Sequence, residues 1–243
     1  MLKRLLALPL AMLLSACQAL SFGIANVPAV FGPSRTSERY AAGERGMLDV
    51  YRAPGAASRP LVVFFYGGGF DSGSRGEYRF AGAALARLGY VTVVPDYRLY
   101  PNVTFPAFVE DAARAVAYAQ AHAAAWGADP GRIVLAGHSA GAYIAAMLAL
   151  DPSWLRAAGG DPARIKGLIG LSGPYDLDPN SDELRTIFGA PYTPADYRPL
   201  RFAGPGDPPT LLLHGTADKK VYASHSQKLY QALRDADVPV TLR

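Results

Sequence analysis

Residues 131–150, GRIVLAGHSAGAYIAAMLAL, admit few folds. Ile133-Val134-Leu135-Ala136 reads as a short apolar strand, Gly137-His138-Ser139-Ala140-Gly141 as a tight turn, and the Ala-, Leu- and Met-rich remainder as a helix. A strand that passes straight into a helix through G-x-S-x-G is a nucleophile elbow. The two glycines follow from its geometry. The serine sits strained at the tip, and a Cβ at either flanking position would strike the neighbouring strand or helix. Ser139 Oγ is then raised above the sheet edge beside the first N–H groups of the helix, donors that favour an oxyanion. The plainer alternative is that Ser139 only caps a helix after a glycine turn.

Such a unit needs a sheet around it, and the rest of the chain supplies one. Leu61 to Tyr66 is a continuous apolar run, the pattern of a strand buried on both faces, and it ends in Gly67-Gly68-Gly69-Phe70. Further strands are expected at about 90–95, 166–171, 210–213 and from Val238 onward, with helices at about 77–88, 107–124 and 222–235. Gly46 to Tyr51 alternates like an edge strand, whereas residues 17–45 lack any period and read as a tether or irregular lead-in. This alternation predicts an α/β fold over residues 46–243, a mostly parallel, doubly wound sheet flanked by helices. Ligands bind such sheets at the carboxyl ends of the strands, where the loops named here fall. Half of the residues are hydrophobic and 18% are charged, a composition that supports one large core and excludes disorder.

Several motifs then appear in a telling order. Tyr66-Gly67-Gly68-Gly69-Phe70, Asp96-Tyr97-Arg98-Leu99-Tyr100-Pro101, Phe105-Pro106 with Glu110-Asp111, Gly137 to Gly141, and His214-Gly215-Thr216-Ala217-Asp218 follow one another. Together they resemble the HGGGF, DYRLxP, GxSxG and acid motifs of α/β-hydrolase esterases related to hormone-sensitive lipase and the bacterial carboxylesterases. The resemblance covers about residues 45–243. It implies an α/β-hydrolase fold with Ser139 as catalytic nucleophile. It also implies an oxyanion hole from the N–H groups of Gly68, Gly69 and Ala140, and Asp218 as the acid that orients a triad histidine. Tyr66 stands where the family carries His, a residue that braces the glycine loop. A glycine loop can also cradle phosphate, but this one lacks the P-loop Lys-Ser/Thr and the GxGxxG spacing. Asp218 could instead serve a turn, and Asp176 is the rival acid.

The base is harder to place. The chain has four histidines, at 122, 138, 214 and 225. The resemblance puts the triad histidine on the loop after the strand that Val238 begins, and Arg243 lies inside that strand. The expectation is therefore a C-terminally truncated hydrolase whose histidine follows roughly 10–20 residues further on. Such a chain would keep only a residual acceleration, ~10³–10⁴ over water, from the oxyanion hole and binding.

Met1 to Arg4 is basic, Leu5 to Ala16 is apolar but too short to span a bilayer, and Leu14-Ser15-Ala16-Cys17 resembles a bacterial lipobox. That implies removal of residues 1–16, acylation of Cys17 and a lipid-anchored protein of the bacterial envelope. Gln18, rather than Asp, points to the outer membrane. An ordinary secretory signal is the alternative. Setting aside Lys3 and Arg4 leaves 22 basic against 20 acidic residues, scattered, so no nucleic-acid surface is read. No cofactor is implied, and no metal: H-E-x-x-H and paired His/carboxylate spacings are absent. Residues 174–208 read as a cap-like insertion whose Tyr and Phe side chains wall a pocket. Small acyl esters are the expected substrates, cleaved through an acyl-Ser139 intermediate. Amides, formamides and acetylated sugars use the same machinery, and a non-catalytic, envelope-anchored binding protein is the reading from another class. Oligomeric state stays open.

Overall fold

The computed structural model describes residues 21–30, 32–55 and 58–243. The expected signal peptide and Cys17 lie outside these residues. Eight strands form one sheet in the order β1-β2-β4-β3-β5-β6-β7-β8. They are β1 (Ser34–Arg39), β2 (Met47–Arg52), β3 (Arg59–Phe65), β4 (Val91–Pro95), β5 (Ala128–His138), β6 (Ile165–Leu171), β7 (Thr210–Leu213) and β8 (Val240–Leu242). The pairings β1–β2 and β2–β4 are antiparallel, and every later one is parallel. Parallel strands need crossovers, and helices provide them. The principal ones are α2 (Arg79–Arg87) before β4, α3 (Ala107–His122) before β5, α4 (Ala140–Leu150) after β5, and α8 (Ser224–Asp235) before β8.

The central strands are apolar because both faces are covered. Leu61, Val63 and Phe65 of β3 and Val93 and Val94 of β4 are fully buried. Helix α4 is buried along almost its whole length, including Tyr143, Ile144 and Met147, as a helix that follows the elbow under neighbouring elements must be. This is the α/β-hydrolase arrangement that the sequence predicts.

Two expectations change. Residues 17–45 are not an irregular lead-in throughout: residues 21–30 form a helix, α1, and Ser34 to Arg39 form β1, the true edge of the sheet. β2 is therefore an inner strand, with Leu48, Asp49, Val50 and Tyr51 all buried. The sequence SRTSER hides β1 because an edge strand exposed on both faces needs no apolar alternation. The insertion also differs. It contains α6 (Asp182–Ile187) and α7 (Pro194–Tyr197), but Tyr175, Phe188 and Tyr197 are buried rather than lining the cleft. Phe188 meets Phe70, Phe108 and Tyr143 edge-to-face and Phe105 at a tilt in one aromatic cluster, with ring centroids 5.1 Å apart for Phe70–Phe188. Burial of large rings is worth more there than at a wet rim. Among the described residues no helix is long and apolar enough to cross a bilayer.

Candidate active site

β5 ends at His138 and α4 begins at Ala140, leaving Ser139 between them at φ 52° and ψ −120°. A residue with a side chain rarely occupies this region, and here its surroundings impose it. Ser139 N–H donates to Leu171 O at the end of β6 (2.8 Å), and Tyr143 N–H donates to Ser139 O (3.1 Å). A Cβ on Gly137 would lie 2.2 Å from Gly141 O, and one on Gly141 would lie 2.1 Å from Phe65 O. Both glycines are thus demanded by close approach, one to the helix and one to β3.

The glycine loop lies directly opposite. Gly68 and Gly69 have φ of 143° and 63°, and Gly68 is packed so that a Cβ would meet Ser72 O at 2.2 Å. The N–H groups of Asp71 and Ser72 and the Ser72 hydroxyl all donate to Gly68 O, which fixes the loop from within. Phe70 pins its far end into the aromatic cluster, and Tyr100 N–H donates to Phe70 O. At its near end Tyr66 is fully buried and stacks on Tyr97 with centroids 4.4 Å apart. Its hydroxyl accepts from Arg45 Nη1 (3.0 Å), and the same guanidinium nitrogen donates to Gly73 O (3.0 Å). Tyr97 OH in turn donates to Tyr66 O (2.7 Å). The Tyr66 side chain braces the loop, the part expected of this position. Arg45 as its partner was not legible, since nothing in the sequence links the two residues.

Loop and elbow are joined by Tyr78. Its hydroxyl accepts from Gly67 N–H and shares a hydrogen bond of 2.7 Å with His138 Nδ1. Burial holds the His138 imidazole below its ordinary value, against the opposing pull of Asp218.

Asp218 follows β7. Its Oδ1 accepts the N–H groups of Lys220 (2.9 Å) and Val221 (3.0 Å), and Oδ2 lies 3.8 Å from His214 Nε2. The Val221 N–H is the largest cause of a carboxyl held below the usual aspartate range. Asp176, the rival acid, is paired with Arg198 and Lys228. A cleft of about 710 Å³ brings Gly67 to Ser72, Tyr78, Ser139, Ala140, Ser172 and Asp218 together, with Leu177 and Leu184 from the insertion and Phe22 from α1. Every sequence-predicted site residue among the described ones reaches this cleft.

The model of the BD-FAE family matches residues 48–233. The chain belongs to the BD-FAE family. Among relatives of this BD-FAE chain, Esterase LipQ of Mycobacterium tuberculosis is 29% identical over 88% of the chain and 57% of its own length. The probable isoprenylcysteine alpha-carbonyl methylesterase ICMEL1 of Oryza sativa subsp. japonica is 31% identical over 78% of the chain and 50% of its own. The chain thus spans about half the length of these curated relatives. Among solved structures, Thermogutta terrifontis esterase 2 in its apo form is similar with a TM-score of 0.74 and 28% identity, over 87% of this chain and 82% of its own.

The histidines of the BD-FAE chain are all engaged. His122 Nδ1 faces Tyr118 O, and its ring stacks on Tyr118. His214 is buried between Ser226 Oγ (2.7 Å, at Nδ1) and Val221 O (2.8 Å, at Nε2), so Nε2 carries the proton. His225 lines the cleft, but its Nδ1 accepts Asp176 N–H (3.2 Å).

Proposed function

We propose that this chain carries a serine carboxylic-ester hydrolase with Ser139 as nucleophile. The observation that carries the reading is the strained Ser139 held between two glycines that tolerate no Cβ, facing Gly68 and Gly69 across one cleft. Ser139 Oγ attacks the ester carbonyl. The N–H groups of Gly68, Gly69 and Ala140 donate to the developing oxyanion, the alcohol departs, and water releases the acid from acyl-Ser139. Asp218 is the acid that orients the base. None of the four histidines is placed for that role: His138 leans on Tyr78, His214 is spent inside the fold, and His225 is held by the backbone of Asp176. We assign the base to a histidine following β8.

Short acyl esters are the favoured substrates. Thermogutta terrifontis esterase 2 has been solved with butyrate bound and phosphonylated by sarin. A cleft of about 710 Å³ accommodates an ester of that size. Amides, formamides and acetylated sugars remain for substrate profiling to sort. Cys17 is proposed as the lipid-bearing residue that anchors the protein to the bacterial envelope, at the outer membrane.

The test is fluorophosphonate labelling of this chain beside one extended at the C-terminus by its own reading frame. Rapid labelling of the extended form alone, abolished by Ser139→Ala, supports the assignment. Equal labelling of both forms would move the base to His225 or His138. Absence of labelling in folded protein would favour a binding protein.

A further inference from the structure

Helix α1 presents two unlike faces. Its inner face is docked on the hydrolase body. Phe22 packs on Tyr78 and Phe80, with centroids 5.3 and 6.4 Å apart, and Asn26 makes three hydrogen bonds across to the start of α2. Asn26 Nδ2 donates to Gly76 O (3.3 Å) and Glu77 O (2.9 Å), and Asn26 Oδ1 accepts Phe80 N–H (2.8 Å). At the other end of the helix Arg87 donates to Pro28 O.

The outer face is apolar and bare. Ile24, Val27 and Val30 are 65%, 59% and 74% exposed, and their spacing of three sets them along one stripe. Leu88, which follows Arg87 at the end of α2, is likewise 74% exposed. Arg79 and Arg87 stand exposed on α2 at either end of the contact. Bare aliphatic residues flanked by cations match the interfacial layer of a bilayer with anionic lipids. Sequence distance sharpens this. Cys17 precedes Ser21 by four residues, at most ~14 Å of extended chain. Acyl chains on Cys17 would therefore hold α1 within that distance of the membrane.

We propose that the Ile24–Val27–Val30 face of α1 lies in the surface of a lipid bilayer. Ser21 and Phe22, at the N-terminal end of the same helix, line the cleft of Ser139. The docking would thus bring this edge of the cleft close to the membrane surface, within reach of esters of amphiphiles held there. The distance argument rests on the Cys17 anchor, and the test separates the two.

The full chain carrying Val27→Trp is mixed with phosphatidylglycerol/phosphatidylcholine vesicles whose acyl chains are brominated. The unsubstituted protein reports the native Trp126 and Trp154. An interfacial helix sits about 5–10 Å into the headgroup–acyl boundary, so the emission added at position 27 should fall about twofold. Adding Ile24→Asp and Val30→Asp to that variant should restore it. Protein that floats with the vesicles without added quenching overturns the lipid-facing stripe and leaves the anchor standing, as it would if residues 1–20 covered the stripe instead. Neither flotation nor quenching overturns both. Quenching of protein whose Cys17 is unmodified by mass spectrometry upholds the stripe and overturns the anchor.

Discussion

A side chain at φ 52° costs about 1–3 kcal/mol on its own, so Ser139 stays there only because the backbone around it is over-determined. Gly141 carries most of that constraint, since a methyl at this position would collide with Phe65 O and Tyr66 O, at 2.1 and 2.4 Å. Backbone cannot rotate away as a side chain can. Gly141→Ala should destabilise the protein by about 1–3 kcal/mol, seen as a Tm lower by roughly 2–10 °C, and should abolish fluorophosphonate labelling even below that Tm. An unshifted Tm would mean the elbow has slack that its contacts deny. Tyr78 probes a subtler dependence. Its hydroxyl ties Gly67 N–H to His138 and so holds the glycine loop in register with the elbow. Tyr78→Phe keeps the ring packing and removes the tie. One hydrogen bond of about 0.5–1.5 kcal/mol should slow labelling of Ser139 roughly 3- to 10-fold with little change in Tm. A change in Tm without a change in rate would make Tyr78 a core residue only. The position of Ser139 was readable because its flanking glycines encode local geometry, whereas Gly68, Gly69 and Asp218 were placed by the family resemblance, and the fold gathers all four at one cleft. Arg45 and Tyr78 were not readable, because each acts across the fold through a single polar contact that leaves no periodic trace.

At the scale of elements, the helix that the sequence hid is the one with the most consequence for the cleft. Pro28 and Gly23 blur the helical signal of residues 21–30, and the helix survives through tertiary contacts rather than propensity. Asn26 is the main polar contact. Asn26→Ala removes three hydrogen bonds and leaves Gly76 O, Glu77 O and Phe80 N–H to water. All three are half-buried turn and helix-start groups that water can reach once the amide is gone, so the loss to global stability should be modest, about 1–2 kcal/mol. The local effect should be larger: amide exchange across 21–30 accelerates at least tenfold while exchange in β3 and β5 is unchanged. Equal acceleration everywhere would show that α1 unfolds only with the whole domain. The buried strands were legible for the opposite reason. β3 and β5 are covered on both faces, so their apolar runs admit one reading, whereas β1, with its polar SRTSER, is held by its pairing to β2 and by Glu38, which accepts from Tyr118 OH and Trp126 Nε1. The insertion misled for a related reason: composition reports that Tyr and Phe are present, not whether they face a cleft or a core.

Across the whole molecule, acid should act in two separated steps. His138 and His225 are both held below the ordinary imidazole value of 6.5, chiefly by burial, with Asp218 opposing for the first and Asp176 for the second. As pH falls through 6.5 the unfolded chain takes up protons before the folded one does. Their contribution is therefore fully present above that value and is lost as pH falls through the folded values below it. Asp176 and Asp218 act later. The first is held below 3.8 mainly by its hydrogen bond from Lys228, the second mainly by Val221 N–H, and both contributions are lost only as pH drops beneath that range. The urea midpoint should thus be level above pH 7, decline as pH falls below about 6.5, and decline again below about 4. His225→Gln separates the steps, because its amide oxygen can still accept Asp176 N–H while it carries no proton to titrate. That variant should flatten the first decline in part and leave the second unchanged. A midpoint in the unsubstituted protein that does not move between pH 7.5 and 5 would show that both imidazoles protonate without resisting, and that the burial around the cleft opens more readily than its packing implies.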